Sequence, residues 1–199
     1  MKKGLVALLV VILLVIISAG WFIRRYNTIQ KEKIAVENAW AQVQNVYQTR
    51  FDLIPNLVQT VQGAANFEKS TLTQVTEARA KMGGSVNLPP EALTDPQAFQ
   101  AFQANQAGLS SALSRLMVVV ERYPELKANQ NFLQLQAQLE GMENRIRTER
   151  MRYNDSAKLF NQLIVTFPNI IVANMIKVKA FQFFQADNAA QTAPKVEFK

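Results

Sequence analysis

The chain has 199 residues, 22 Lys and Arg against 15 Asp and Glu, a net charge of +7, and neither Cys nor His. That composition excludes disulfide frameworks, thiolate nucleophiles, zinc fingers and acid–base devices built on imidazole. The positive charge is not gathered into one run, so attraction to anionic lipid head groups explains it as well as nucleic-acid binding does.

Gly4 to Ile23 is an uncharged run with Ser18 as its one hydroxyl, set between Lys2-Lys3 and Arg24-Arg25. A helix of about 20 residues at about 1.5 Å each crosses the roughly 30 Å hydrocarbon layer. Trp21, Ile23, Arg24 and Arg25 supply the aromatic and cationic pattern that ends a span, and Gly4 opens it. The alternative, a cleaved signal, expects a shorter apolar core and a small-x-small site; here Ser18-Ala19-Gly20 leads straight into Trp21-Phe22. The expected organisation is therefore an anchor at 1–25, a helical body at 26–167, and an apolar membrane-proximal segment with a polar tail at 168–199. Counting positive charges on either side leans to a cytoplasmic body, whereas Met-Lys-Lys before an apolar core resembles a signal-anchor that exports the body behind it. The two nearly balance.

Apolar periodicity beyond the span predicts four long helices. Val36, Trp40, Val43, Tyr47 and Phe51 form the stripe of the first, which has no Gly or Pro to separate it from the span. Asp52 is the expected N-cap of a second helix with Pro55 in its first turn, carrying Val58, Val61, Ala65, Leu72, Val75 and Met82 inward until Gly83-Gly84. Thr94 or Asp95 before Pro96 starts the third, whose Phe99, Phe102, Gln106, Leu109, Leu113, Leu116, Val120 and Tyr123 make a heptad seam with one polar member. Pro124 breaks it, Asn129 or Asn131 caps the fourth, and Pro168 ends that helix. The fold class expected is all-α: a transmembrane helix followed by a long antiparallel four-helix bundle. Such a bundle puts the turns at Phe51–Pro55 and Tyr123–Asn131 far from the bilayer, and the Gly83–Pro96 loop and the chain after Pro168 beside it.

Several blocks carry a resemblance. Tyr26-Asn27, Ala39-Trp40, Arg50-Phe51-Asp52-Leu53-Ile54-Pro55-Asn56-Leu57-Val58, Tyr123-Pro124-Glu125-Leu126-Lys127-Ala128-Asn129, Phe132 to Gln136, Tyr153-Asn154 with Asn161, and Phe167-Pro168 resemble the LemA family of bacterial membrane-anchored proteins. They succeed one another from Tyr26 to the tail and so cover nearly the whole chain. Phe51 stands where the family motif has Tyr. The resemblance implies a span followed by a helical bundle, no established enzymatic activity, and a setting in the bacterial cytoplasmic membrane; family members encoded beside proteins with extracytoplasmic domains favour an exported body. Asp52, Pro55, Asn56, Tyr123, Pro124 and Asn129 are the motif residues, read either as structural punctuation at helix ends or as a surface for a partner.

No constellation of catalytic or metal-binding residues is legible, and no cofactor is expected. Di-metal bundle sites need Glu-x-x-His motifs, which a chain without His cannot supply. Glu68 lies on the inward phase of the second helix, either at its edge or as half of a buried Glu–Arg pair that fixes register. Arg145, Arg147, Arg150 and Arg152 are interrupted by Glu149 and read as an ordinary ion-paired surface rather than a phosphate site. Pro168 to Phe184 is strongly apolar, with Ile170, Ile171, Lys177, Lys179, Phe181 and Phe184 as candidate interfacial residues; folding back over the bundle is the equal alternative. The expected function is a non-enzymatic, single-pass scaffold or adaptor of the envelope, with membrane lipids and an envelope protein as partners and no nucleic acid. A homo-oligomeric structural protein is the alternative, and a carboxylate-dependent enzyme a more distant one.

Overall fold

The computed structural model describes residues 2–63, 67–83 and 88–185, and every described element is helical. The order is α1 (Lys2–Gln62), α2 (Lys69–Lys81), a 3-10 turn (Pro90–Thr94), α3 (Pro96–Val120), α4 (Pro124–Lys127), α5 (Gln130–Val165) and α6 (Asn169–Met175). The expected positions of Ala65, Gly84 and Asn87, and the polar tail from Asp187, lie outside the described residues.

The expected reversal at Phe51–Pro55 does not occur: α1 runs through Pro55 without a break for 61 residues, about 90 Å. Asp52 is not an N-cap; its Oδ1 accepts from Gln48 Nε2 at 2.8 Å, one turn earlier in the same helix. Burial explains why the proline loses. An interior proline costs about 3 kcal/mol, because it lacks an N–H and crowds the carbonyl four residues back. Ile54, Leu57, Val58 and Val61 around it are buried, and such side chains each contribute about 1.5–3 kcal/mol. Pro55 itself is exposed, so the Phe51 carbonyl it deprives lies on the side that water reaches.

The second helix is correspondingly shorter, 13 residues or about 20 Å. It cannot return to the base of the body. Leu88 meets Trp40 and Gln44, whose Nε1 and Nε2 donate to its carbonyl at 3.0 and 3.1 Å. That contact lies about 20 Å along α1 from Arg25, so the described part of the Gly83–Pro96 loop is not at the membrane end. Local signals set the remaining boundaries. Asp95 accepts from Gln97 and Ala98 N–H to start α3, and Asn129 accepts from Asn131 and Phe132 N–H to start α5. Tyr123 is half-buried with its ring 4.8 Å from that of Phe67, and Pro124 opens the single turn of α4.

The principal seam joins α1 to α5, while α2 packs on α3. Trp40 lies against Tyr153 and Arg50 against Glu143, so numbering rises along α1 as it falls along α5. Between α1 and α3 it rises together, from Trp40–Phe99 to Arg50–Ser110. The centre is aromatic: Trp40, Phe99, Phe102, Tyr153 and Phe184 stack or meet edge to face at 5.0–6.1 Å.

Candidate functional site

Two constructions stand out from ordinary core, and both use polar residues at helix positions.

The first is a strap. After α6 the chain returns along the body as an extended segment reaching Gln185, held by asparagines of α5. Asn161 donates to the Phe181 carbonyl and accepts from the Phe181 N–H, both at 2.9 Å. Asn154 does the same to Phe184, at 3.0 and 2.9 Å. Each side-chain amide thus supplies the donor and acceptor that a neighbouring strand would supply, and satisfies a backbone with no ladder of its own. Between them the Tyr153 hydroxyl donates to the Gln182 carbonyl at 3.0 Å, and Gln182 N–H donates to the Leu93 carbonyl. Burial pushes the Tyr153 phenol well above its ordinary range, which keeps it a neutral donor. Phe181 and Phe184 are consequently buried in the body, not turned to a bilayer. Ile171, Lys177 and Lys179 remain exposed, and Ile170 borders on it.

The second is a groove of about 760 Å³ between α3 and α5, floored by Tyr47 and Arg50 of α1. Arg50 is 1% exposed. Its Nη1 donates to Glu143 at 2.7 Å and Ser110 at 2.8 Å, and its Nη2 donates to Gln106. Gln106 is the polar member of the heptad seam, and it is buried to receive that bond. Arg50 Nε and Gln106 Nε2 have no acceptor among the described residues. Ser111, Ser114, Arg147 and Arg150 complete the polar wall. Arg150 lies over the Phe184 ring at 4.6 Å and donates to the Gln185 carbonyl, so the strap closes one end of the groove. The lining carries the guanidiniums of Arg50, Arg147 and Arg150 against the single carboxylate of Glu143, a surplus of donors and positive charge.

Arg50 is therefore the buried charge, and Glu68 is not. Glu68 is 45% exposed and pairs at the surface with Arg122 at 3.2 Å. Sequence reading alone does not single out Arg50, because it adjoins Phe51 inside a longer motif; its spacing of three and seven from Tyr47 and Val43 is the signal that could have found it. Asp52, Pro55 and Asn56 are exposed on α1 and do not join the groove. No cluster of three acidic side chains that could hold a metal occurs among the described residues.

The span residues are exposed along Leu5–Ile17, and α1 is long and apolar enough there to cross a membrane. Trp21 and Phe22 are half-buried against the near end of the core, while Ile23 and Arg24 are exposed. Gly4 has nothing within 4 Å of where a Cβ would sit.

Among the described residues every regular element is helical and one helix is span-length and apolar, which defines the class. The LemA family model matches residues 39–198, and the chain belongs to that family. It is 28% identical to magnetosome protein MamQ 2 of Paramagnetospirillum magneticum, over 94% of this chain and 74% of that protein. It is 27% identical to protein LemA of Metamycoplasma hominis, over 88% of this chain and 77% of that one. Magnetosome protein MamQ of Magnetospirillum gryphiswaldense is 28% identical over 73% of this chain and 59% of its own length.

Proposed function

We propose that this protein is a non-enzymatic, single-pass scaffold or adaptor of the bacterial cytoplasmic membrane, its body on the extracytoplasmic side, whose α3–α5 groove receives an acidic segment of an envelope protein. The register of α1 with α5 and α3 supports reading the body as an antiparallel four-helix bundle with unequal rods. The observation that carries the reading is the charge of the groove: Arg50, Arg147 and Arg150 line it against the single carboxylate of Glu143, and Arg147 is exposed. A carboxylate-bearing segment supplies acceptors and opposite charge to such a surface. Within that lining Ser110 Oγ donates to Glu143 Oε1 at 3.5 Å, but Arg50 engages the same carboxylate oxygen at 2.7 Å, which opposes its use as a base for the hydroxyl.

The test is a photo-cross-linking residue in place of Ser114, on the groove wall, in the full chain in its native membrane. A defined adduct lost on Arg147→Glu supports the adaptor. Adducts at multiples of the chain's own mass transfer the groove to the homo-oligomeric reading. No adduct at all, in membranes where the chain is intact, removes the proposal.

A further inference from the structure

The apolar surface left by the strap is not spread over the tail but gathered at the α5–α6 corner. Val165, Phe167, Ile171 and Met175 are 46–81% exposed there, with Ile170 at 36%. Phe167, at 81%, is the most exposed large apolar side chain among the described residues. Lys177 and Lys179 lie just beyond, both exposed.

Register locates the corner on the long axis of the molecule. Trp40 faces Tyr153 and Arg50 faces Glu143, and both helices advance about 1.5 Å per residue. The same register carries Ile164 to the level of Ile29 and Phe167 to that of Tyr26. Helix α6 then packs back on α1 with Val172 and Ala173 buried, and the core reaches Trp21 and Phe22. These are the residues at which the span leaves the hydrocarbon. The exposed apolar corner is thus level with Trp21 to Tyr26 and so with Arg24, and Lys177 and Lys179 lie between α6 and Phe181, where Asn161 first holds the strap.

We infer that the α5–α6 corner is a second membrane contact: Phe167, Ile171 and Met175 enter the head-group boundary beside the span, with Lys177 and Lys179 against anionic lipid. The inference rests on insertion of the span. Continuity with it identifies the occupant, because the corner lies at the plane where the span emerges. Amphipathic surfaces at that depth combine apolar burial with attraction of cations to anionic head groups. A span alone leaves its body free to tilt, whereas a second contact off the helix axis restrains the body relative to the bilayer. The interfacial surface is this corner and excludes Phe181 and Phe184, which the strap uses internally.

The absence of cysteine makes the test direct. Phe167→Cys, Met175→Cys and Val118→Cys are made singly in the full chain, labelled with an environment-sensitive fluorophore and reconstituted in vesicles of phosphatidylcholine with phosphatidylglycerol. Val118 is 70% exposed on α3, far from the span. Labels at 167 and 175 are expected to be blue-shifted and several-fold less accessible to an aqueous quencher than the label at 118. Equal quenching at all three sites, in chains that float with the vesicles, overturns the inference while leaving the anchored reading intact. Chains that fail to float overturn the anchored reading first. Protection that rises with protein-to-lipid ratio assigns the corner to a second copy and also overturns the inference.

Discussion

Arg50 is the residue at which packing and chemistry conflict most sharply. A guanidinium 1% exposed is stable only while its fork is filled, and Glu143, Ser110 and Gln106 fill it. Arg50→Ala should cost about 3 kcal/mol, since Gln106 loses its donor inside the core. Glu143 is 44% exposed and recovers water, which holds the cost to the lower end of that range. Chemical unfolding of the full chain in detergent, followed by circular dichroism, measures it. Adding Gln106→Leu to Arg50→Ala should restore part of the loss, because the stranded amide goes with it. The asparagine clamps allow an equally specific prediction. Asn161→Ala removes two bonds to one residue's backbone and should cost about 1–3 kcal/mol, with faster amide exchange at Phe181. Asn161→Asp does not rescue, because a carboxylate cannot donate to the Phe181 carbonyl. Tyr153 gives a pH signature. Its phenol is raised in the folded chain, so above about pH 10 the unfolded chain releases a proton that the folded one retains. Its contribution to stability should therefore be full below about pH 10 and decline above it. Tyr153→Phe should cost about 1 kcal/mol at neutral pH and make the alkaline decline shallower, as measured by unfolding at a series of pH values.

At the scale of elements, α1 decides the architecture. Because Pro55 lies inside it, Pro55→Ala should raise stability, by up to about 3 kcal/mol; a turn starting at Asp52 would predict the reverse, through loss of a favourable first-turn proline. Thermal unfolding of the two chains distinguishes these signs. Glu68→Ala should change stability by less than about 1 kcal/mol, since its pair with Arg122 is exposed. The same measurement checks it. The contrast between α1 and α3 shows how far local sequence can encode a boundary. Asp95-Pro96 marks a helix start with a side chain that bonds the first free N–H groups, an event complete within four residues. Asp52-x-x-Pro55 presents nearly the same local signal, yet the helix continues because Ile54, Leu57 and Val61 are buried in the core on a helix that packs against α5 and α2. Asn129 and Pro124 are readable for the same local reason as Asp95. Glu68 takes an inward phase only in a helix that begins at Asp52, whereas α2 begins at Lys69.

For the whole molecule, residue order alone determined the helical class, the span-length apolar helix and the LemA resemblance. Each depends on periodicity, length or a contiguous motif, and none needs a distant partner. The aromatic stripe from Trp40 to Tyr47 and the heptad seam of α3 were legible for that reason, including Gln106 as the odd polar position. Tertiary structure decided where α1 ends, which charge is buried, and how Tyr153, Asn154 and Asn161 are used. Their hydroxyl and amides bond a strap 20 to 30 residues later in the chain, and no helical period anticipates that. It also divided the apolar tail, taking Phe181 and Phe184 inward and leaving the α5–α6 corner bare. Such outcomes are set by competition for the same buried space among segments far apart in sequence. A stripe states that a side chain seeks cover, and only the assembled helices determine which surface provides it.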